Sequence, residues 1–179
     1  LRQDNDNIEV LSNNIIINLV RYTGSNQGGF YILDDNSETD KFFNQTACYA
    51  YNRKKFSEKR VEWGEGLIGT CALVKQTVYL KDVPDSYLNI TSGLGKSNPK
   101  NIIIVPLLIN NEIHGVLEMA SFSVYEQYQI NFIEKVAENI ASTISSVKIS
   151  VRTAKLLDES RDQAETLAAQ EEQMRQNME

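Results

Sequence analysis

After Gly115 the chain contains neither glycine nor proline, and from Tyr125 its apolar residues keep a helical rhythm to the end. Ile130, Ile133, Ala137, Ile140, Ile144, Val147, Val151 and Ala154 recur at steps of three and four, the spacing that lines one face of an α-helix. Leu157, Ala164, Leu167, Met174 and Met178 extend the stripe less strictly. The pattern predicts a single helix of about 50 residues, on the order of 75 Å long. A 179-residue chain cannot bury such a stripe along its whole length against one core. The far end needs a partner helix, and the mixed charges of Arg152, Lys155, Asp158, Glu159, Arg161, Asp162 and Glu165 suit the flanks of a coiled coil. Asp158 and Arg161 fall near core positions of that seam, which makes it marginal and able to hold two registers.

The preceding residues read as a mixed α and β domain. Ile8, Leu11, Ile15 and Leu19 predict a first helix, stopped by Gly24 and the polar stretch that follows. Phe30 to Leu33 and Lys41 to Tyr51 predict two strands around a polar turn, with Phe43, Gln45, Ala47, Tyr49 and Tyr51 facing one way. Thr70 to Lys75, preceded by Glu65-Gly66-Leu67-Ile68-Gly69, suits a short helix, and Val78 to Leu80 a short strand. Ile102 to Ile109 is the strongest strand signal, and Asn110-Asn111 supplies the tight turn to a partner strand over Glu112 to Phe122.

Composition narrows the function. Acidic residues outnumber basic ones, 24 to 18, for a net charge of −6. That balance disfavours nucleic acid and anionic membranes as partners. The basic cluster Arg53, Lys54, Lys55, Lys59 and Arg60 lacks the interleaved aromatics of a nucleic-acid platform. Two cysteines and one histidine, His114, are too few for a disulfide scaffold or a metal centre and fit a reducing cytoplasm. No run reaches the roughly 18 apolar residues of a membrane span. Gly95-Lys96-Ser97 lacks the glycine five residues earlier that a phosphate-binding loop needs; Ile90 stands there.

The ordered set of segments resembles a GAF domain over about Asn7 to Ser146. Gly29 to Leu33 looks like the opening strand of that family, Gly64-Glu65-Gly66-Leu67-Ile68-Gly69 like its glycine-bearing turn and short helix, and Val78 to Val83 like the strand ending in Asp. Ile104 to Leu107 with Ile113 to Leu117 looks like the closing strand pair. Thr153 to Ser160 and Glu171 to Met174 resemble the helical connectors of GAF modules in bacterial sensor histidine kinases and related phosphorelay proteins. The Asn-Lys-Phe-Asp motif of cyclic-nucleotide-binding members is absent, His114 is distant from either cysteine as bilin attachment would not allow, and Cys48 and Cys71 are a poor match to the cysteine cluster of methionine sulfoxide-reducing members.

The resemblance implies an α/β (α+β) fold, a central antiparallel sheet of five or six strands flanked by helices and followed by the long coiled-coil helix. Residues 1–24 would be a helix packing with the C-terminal one, 25–150 the sensory domain, and 151–179 the signalling linker. The expected role is regulatory: binding a small ligand or dimerising, and passing a conformational change through the last helix, with no enzyme activity and no resident cofactor or metal. A ligand-free dimerisation module and a small thiol-based redox enzyme, with Cys71 near a helix start, are the alternatives. The expected ligand wall comprises Tyr49, Trp63, Ile68, Cys71, Tyr79, Tyr87, Ser92, Ile104, Met119 and Ser121. The expected homodimer interface comprises Leu11, Ile15, Ile140, Ile144, Val147, Val151 and Ala154. The expected setting is cytoplasmic, without direct membrane contact, within a longer parent protein whose own anchoring is left open.

Overall fold

The computed structural model describes residues 2–37, 39–50, 53–54, 59–83 and 99–177. Helix α1 (Arg2–Thr23) ends where Gly24 turns into the left-handed region, φ 68°, a conformation that glycine adopts without strain. The strands are β1 (Gln27–Asp34), β2 (Phe42–Ala50), β3 (Arg53–Lys54), β4 (Arg60–Glu62), β5 (Val78–Leu80), β6 (Asn101–Ile109) and β7 (Glu112–Ser121). Helix α2 (Gly66–Val74) lies between β4 and β5, and α3 (Gln127–Asn177) closes the chain. Asn110 and Asn111, at φ 48° and 65°, make the β6–β7 turn, as two-residue hairpins require.

The fold is α+β and GAF-like, around one antiparallel sheet in the order β3-β2-β1-β7-β6-β5, with β4 pairing the other end of β2. Its two faces are buried by different elements. Phe30, Ile32, Ala47, Tyr49, Ile103, Val105, Leu107, Leu117 and Met119 join Ile16, Leu19 and Val20 of α1 and Ile133, Ala137, Ile140 and Ile144 of α3 in one core. Tyr31, Leu33, Phe43, Val61, Ile102, Ile104, Val116 and Ala120 form a second core with Ile68, Cys71 and Ala72 of α2. Residues successive along a strand thus serve opposite cores, as the pleat dictates.

One strand departs from the expected alternation. Phe30 pairs with Ala47 but Tyr31 pairs with Gln45, so Thr46 has no opposite number and β2 carries a bulge. Phe43 and Ala47 therefore belong to opposite cores, although unbroken alternation would place them together. Thr46 Oγ1 donates to Ser12 Oγ of α1 at 3.0 Å, whereas Gln45 Nε2 on the other face donates to Tyr31 Oη at 2.9 Å.

The chain divides into two units at Ile144/Ser145. The first holds the sheet, α1, α2 and the opening turns of α3. In the second, every side chain from Arg152 to Asn177 is exposed, with Leu157 72% and Met174 63% accessible. Lys155–Glu159 and Arg161–Glu165 ion pairs lie along it at 3.7 and 3.1 Å, each adding only a few tenths of a kcal/mol to helix stability, ~0.3–0.5. Among the described residues no helix is long and apolar enough to cross a membrane.

Candidate functional site

Among the described residues the α2 face of the sheet is mostly apolar, with one cluster of polar side chains. Gly29 of β1 pairs with Glu118 of β7 on one side and Cys48 of β2 on the other. With no side chain at Gly29, the ring of Tyr31, two residues on, lies over it; a Cβ there would sit 3.0 Å from Tyr31 Cε2 and 3.2 Å from Gln45 Nε2. Tyr31 Oη consequently reaches Glu118 and donates to its Oε2 at 3.2 Å, while accepting from Gln45 Nε2 at 2.9 Å. Gln27, two residues before Gly29 on the same face, has a buried side-chain oxygen with no hydrogen-bond partner among the described residues. Four polar side chains from three adjacent strands are gathered in a face that is mostly hydrocarbon.

Their electrostatics are unbalanced. Burial pushes the Tyr31 hydroxyl well above its ordinary range, reinforced by the Glu118 charge, so it stays protonated and remains a donor. Burial likewise holds the Glu118 carboxyl above the usual carboxylate range, with Lys59 and the Tyr31 hydrogen bond pulling it back. A carboxyl harder to ionise in the folded chain than in the unfolded one keeps its proton longer on folding. Stability then falls as pH rises from the ordinary carboxylate range through the folded pKa, and the penalty is complete above it. Glu118→Gln removes the penalty. The variant is expected to melt a few degrees above the parent near pH 7, with the gap closing towards pH 4, as read by thermal unfolding at both.

The Cys71 thiol is fully buried, donating towards Gln76 O at 3.3 Å and Ile104 O at 3.7 Å. Burial pushes it up to about 12, so a thiolate is scarce at neutral pH despite the position in α2. In a Cys48→Ala background, Cys71 is expected to react with a disulfide reagent at the rate of global unfolding. Rapid labelling of the native protein would contradict the buried geometry.

The GAF-domain family model matches residues 5–145. The chain belongs to the GAF family. Solved GAF structures share the fold at low identity. The GAF domain of a phosphoenolpyruvate-protein phosphotransferase from Coxiella burnetii superposes with TM-score 0.65 at 17% identity, covering 84% of this chain and 94% of that one. The GAF-B domain of DevS from Mycobacterium smegmatis gives 0.60 at 14%, covering 80% and 97%. A type II free methionine-R-sulfoxide reductase from Thermoplasma acidophilum gives 0.61 at 15%, covering 80% and 96%. No curated protein sequence matches.

The last of these corrects the expectation that the domain has no enzyme activity. GAF folds similar to this one include free methionine-R-sulfoxide reductases from three organisms, at 15 to 18% identity. The fold is one that enzymes also use, so an absence of activity does not follow from it.

The GAF sheet separates the residues expected to wall a ligand. Ile68, Cys71 and Ile104 lie together in the α2 core, and Trp63, 37% exposed, stacks on Phe43 beside them at 5.7 Å. Tyr49 and Met119 lie on the opposite face, against α1 and α3. Tyr79 packs there too, its hydroxyl accepting the Tyr125 N–H at 2.9 Å. Ser121 is buried and its Oγ accepts the Ser123 N–H. Tyr87 and Ser92, like Gly95-Lys96-Ser97, lie outside the described residues.

Among the expected interface residues, Ile140 and Ile144 are already buried in the chain's own core, at 6% and 0% exposure, and are not available to a partner. Their stripe faces the sheet first. Leu11 and Ile15 are partly buried against the same core; in the second unit Val147 and Val151 are half-buried and Ala154 is exposed. The solvent side of α1 and α3 instead presents Tyr22 against Phe132, ring centroids 4.6 Å apart, beside Asn18 and Val136 in a shallow apolar groove. Tyr31, Gln45, Gln27 and Glu118 are not among the residues expected from the sequence, although Glu118 is the one charge within the otherwise apolar run 116–120.

Proposed function

We propose that this GAF domain is the sensory module of a multidomain signalling protein of the sensor histidine kinase type, binding a small molecule over the α2 face of its sheet. The observation that carries the reading is the set Gln27, Tyr31, Gln45 and Glu118, with a buried oxygen left unmatched. A buried acceptor without a donor costs about 1–3 kcal/mol, and buried polar groups in native proteins almost always have partners. A ligand supplies the partner. Pockets that combine apolar walls with a few convergent polar groups are the ordinary form of small-molecule sites.

The output would pass through α3. From Arg152 to Asn177 every side chain of it is exposed, and an isolated helix is marginal without a packed face. A second copy is the proposed cover, pairing the α1 and α3 surfaces and the 151–179 linker as a coiled coil in a cytoplasmic setting. A ligand shifts such a pair only by its differential affinity for the two packings.

Native mass spectrometry of the purified chain against its denatured mass tests both halves. The expected result is a dimer with additional non-covalent mass. A dimer at bare chain mass would favour a ligand-free dimerisation module, and a monomer would remove the signalling-helix half. Disulfide crosslinks placed at Val147, Val151 and Ala154 are expected to change pattern with ligand; an invariant pattern would indicate a passive stalk.

A further inference from the structure

Acceptors outnumber donors at the polar site. The Tyr31 hydroxyl spends its proton on Glu118 and accepts from Gln45. The Glu118 carboxylate, with room for about four hydrogen bonds, receives this one among the described contacts. The Gln27 side-chain oxygen receives none from the described residues. The cation that acts on Glu118 is Lys59, whose own side chain is exposed. Gln27 pairs with Ala120 and Gly29 with Glu118, so Gln27 and Glu118 are diagonal neighbours on one face, roughly 7–8 Å apart. That span suits a small group donating to both.

We infer that the ligand carries a protonated nitrogen, an ammonium, amidinium or guanidinium, seated against Glu118 with the Gln27 oxygen as a second acceptor. This rests on the ligand-sensor reading above and gives it a chemical class. The Tyr31 hydroxyl is committed to Glu118 and one Gln45 N–H to Tyr31, so a carbonyl or anionic ligand would have only the remaining Gln45 and Gln27 amide hydrogens to bind it. The half-buried Glu118 carboxylate beside them also repels an anion at short range. Charge-assisted hydrogen bonds are about twice as strong as neutral ones, so the site discriminates by charge rather than by shape.

Benzamidine and benzamide, nearly identical in outline and differing in charge, are the probes. Saturation-transfer NMR titration near pH 7 on the full chain is expected to show benzamidinium binding about tenfold tighter than benzamide or better. Glu118→Gln should erase that preference and leave benzamide unchanged, and Gln27→Met should weaken benzamidinium by a smaller factor. Equal affinity for the two probes, or a preference that survives Glu118→Gln, overturns the assignment. Native mass spectrometry of the same preparations separates this from the sensor reading. A neutral or acidic molecule retained equally by the parent and Glu118→Gln overturns the cationic class and leaves the sensor standing. No retained molecule and no response to either probe overturns both.

Discussion

Replacing Gly115 by alanine is expected to destabilise the protein by about 3 kcal/mol, the upper end for forcing extra volume into a packed interior. Gly115 lies in β7 between Ile32 of β1 and Leu107 of β6. A Cβ there would overlap the Tyr31 carbonyl oxygen and sit 3.0 Å from Leu107 Cδ1. A flexible side chain can give way; a ladder carbonyl in the middle of a sheet cannot move without breaking the pairing that holds β1 to β7. Gly64→Ala is the control. Gly64 has φ 80° with nothing near its missing Cβ, so only backbone strain acts, about 1 kcal/mol. Urea unfolding midpoints compared at constant slope separate the two. Equal losses at both positions would show that the β1–β7 contact yields, and the steric argument would fail.

Phe30→Ala is expected to cost about 3–5 kcal/mol. Phe30 is fully buried at the middle of the sheet beneath α1, and close-packed neighbours refill such a space only in part. The adjacent Tyr31→Phe makes an instructive contrast. It deletes one oxygen on the other face, leaving Glu118 without its donor and Gln45 without its acceptor. Its loss is expected to be smaller, about 1–2 kcal/mol, but accompanied by weaker probe binding, which Phe30→Ala has no direct reason to produce beyond its effect on folding. Denaturant titration with benzamidinium binding measured on the folded fraction checks the pair. If Tyr31→Phe bound the probe as the parent does, the hydroxyl would have no part in the site.

The element order was readable because its signals are local. Gly24, the Asn110-Asn111 turn and the glycine-free stretch after Gly115 punctuate the chain where the structure changes direction. The core faces of β6 and β7 were readable too, since their apolar residues run nearly unbroken. The site was less accessible for a specific reason. Aromatic and apolar residues were sought as pocket walls, but in a sheet covered on both faces such residues serve either core, and strand parity alone separates Ile104 from Met119. The polar residues that distinguish one face come from three strands that meet only after pairing. Gln45 and Tyr31 are 14 positions apart and Tyr31 and Glu118 are 87 apart. Glu118 itself was legible, as a charge in a buried run; its partners were not. The helical stripe of α3 is continuous in the sequence, yet Ile133, Ala137, Ile140 and Ile144 face the protein's own sheet and only the side chains from Arg152 to Asn177 are all exposed.

Thr46 gives β2 two frames of reference. Counting backwards from Ala50, odd and even positions assign faces correctly as far as Ala47; counting forwards from Phe42 assigns them correctly as far as Thr46, and the two counts disagree with each other. Without Thr46, Ala47 and Gln45 would be consecutive opposite Phe30 and Tyr31, and Gln45 would keep its face by plain alternation. A deletion elsewhere in β2 that closes the bulge instead exchanges the faces of the residues between it and Thr46. A search for the same polar set in other sequences should anchor its numbering at the bulge, because an alignment that slides a gap along β2 will exchange the residues of one face for those of the other.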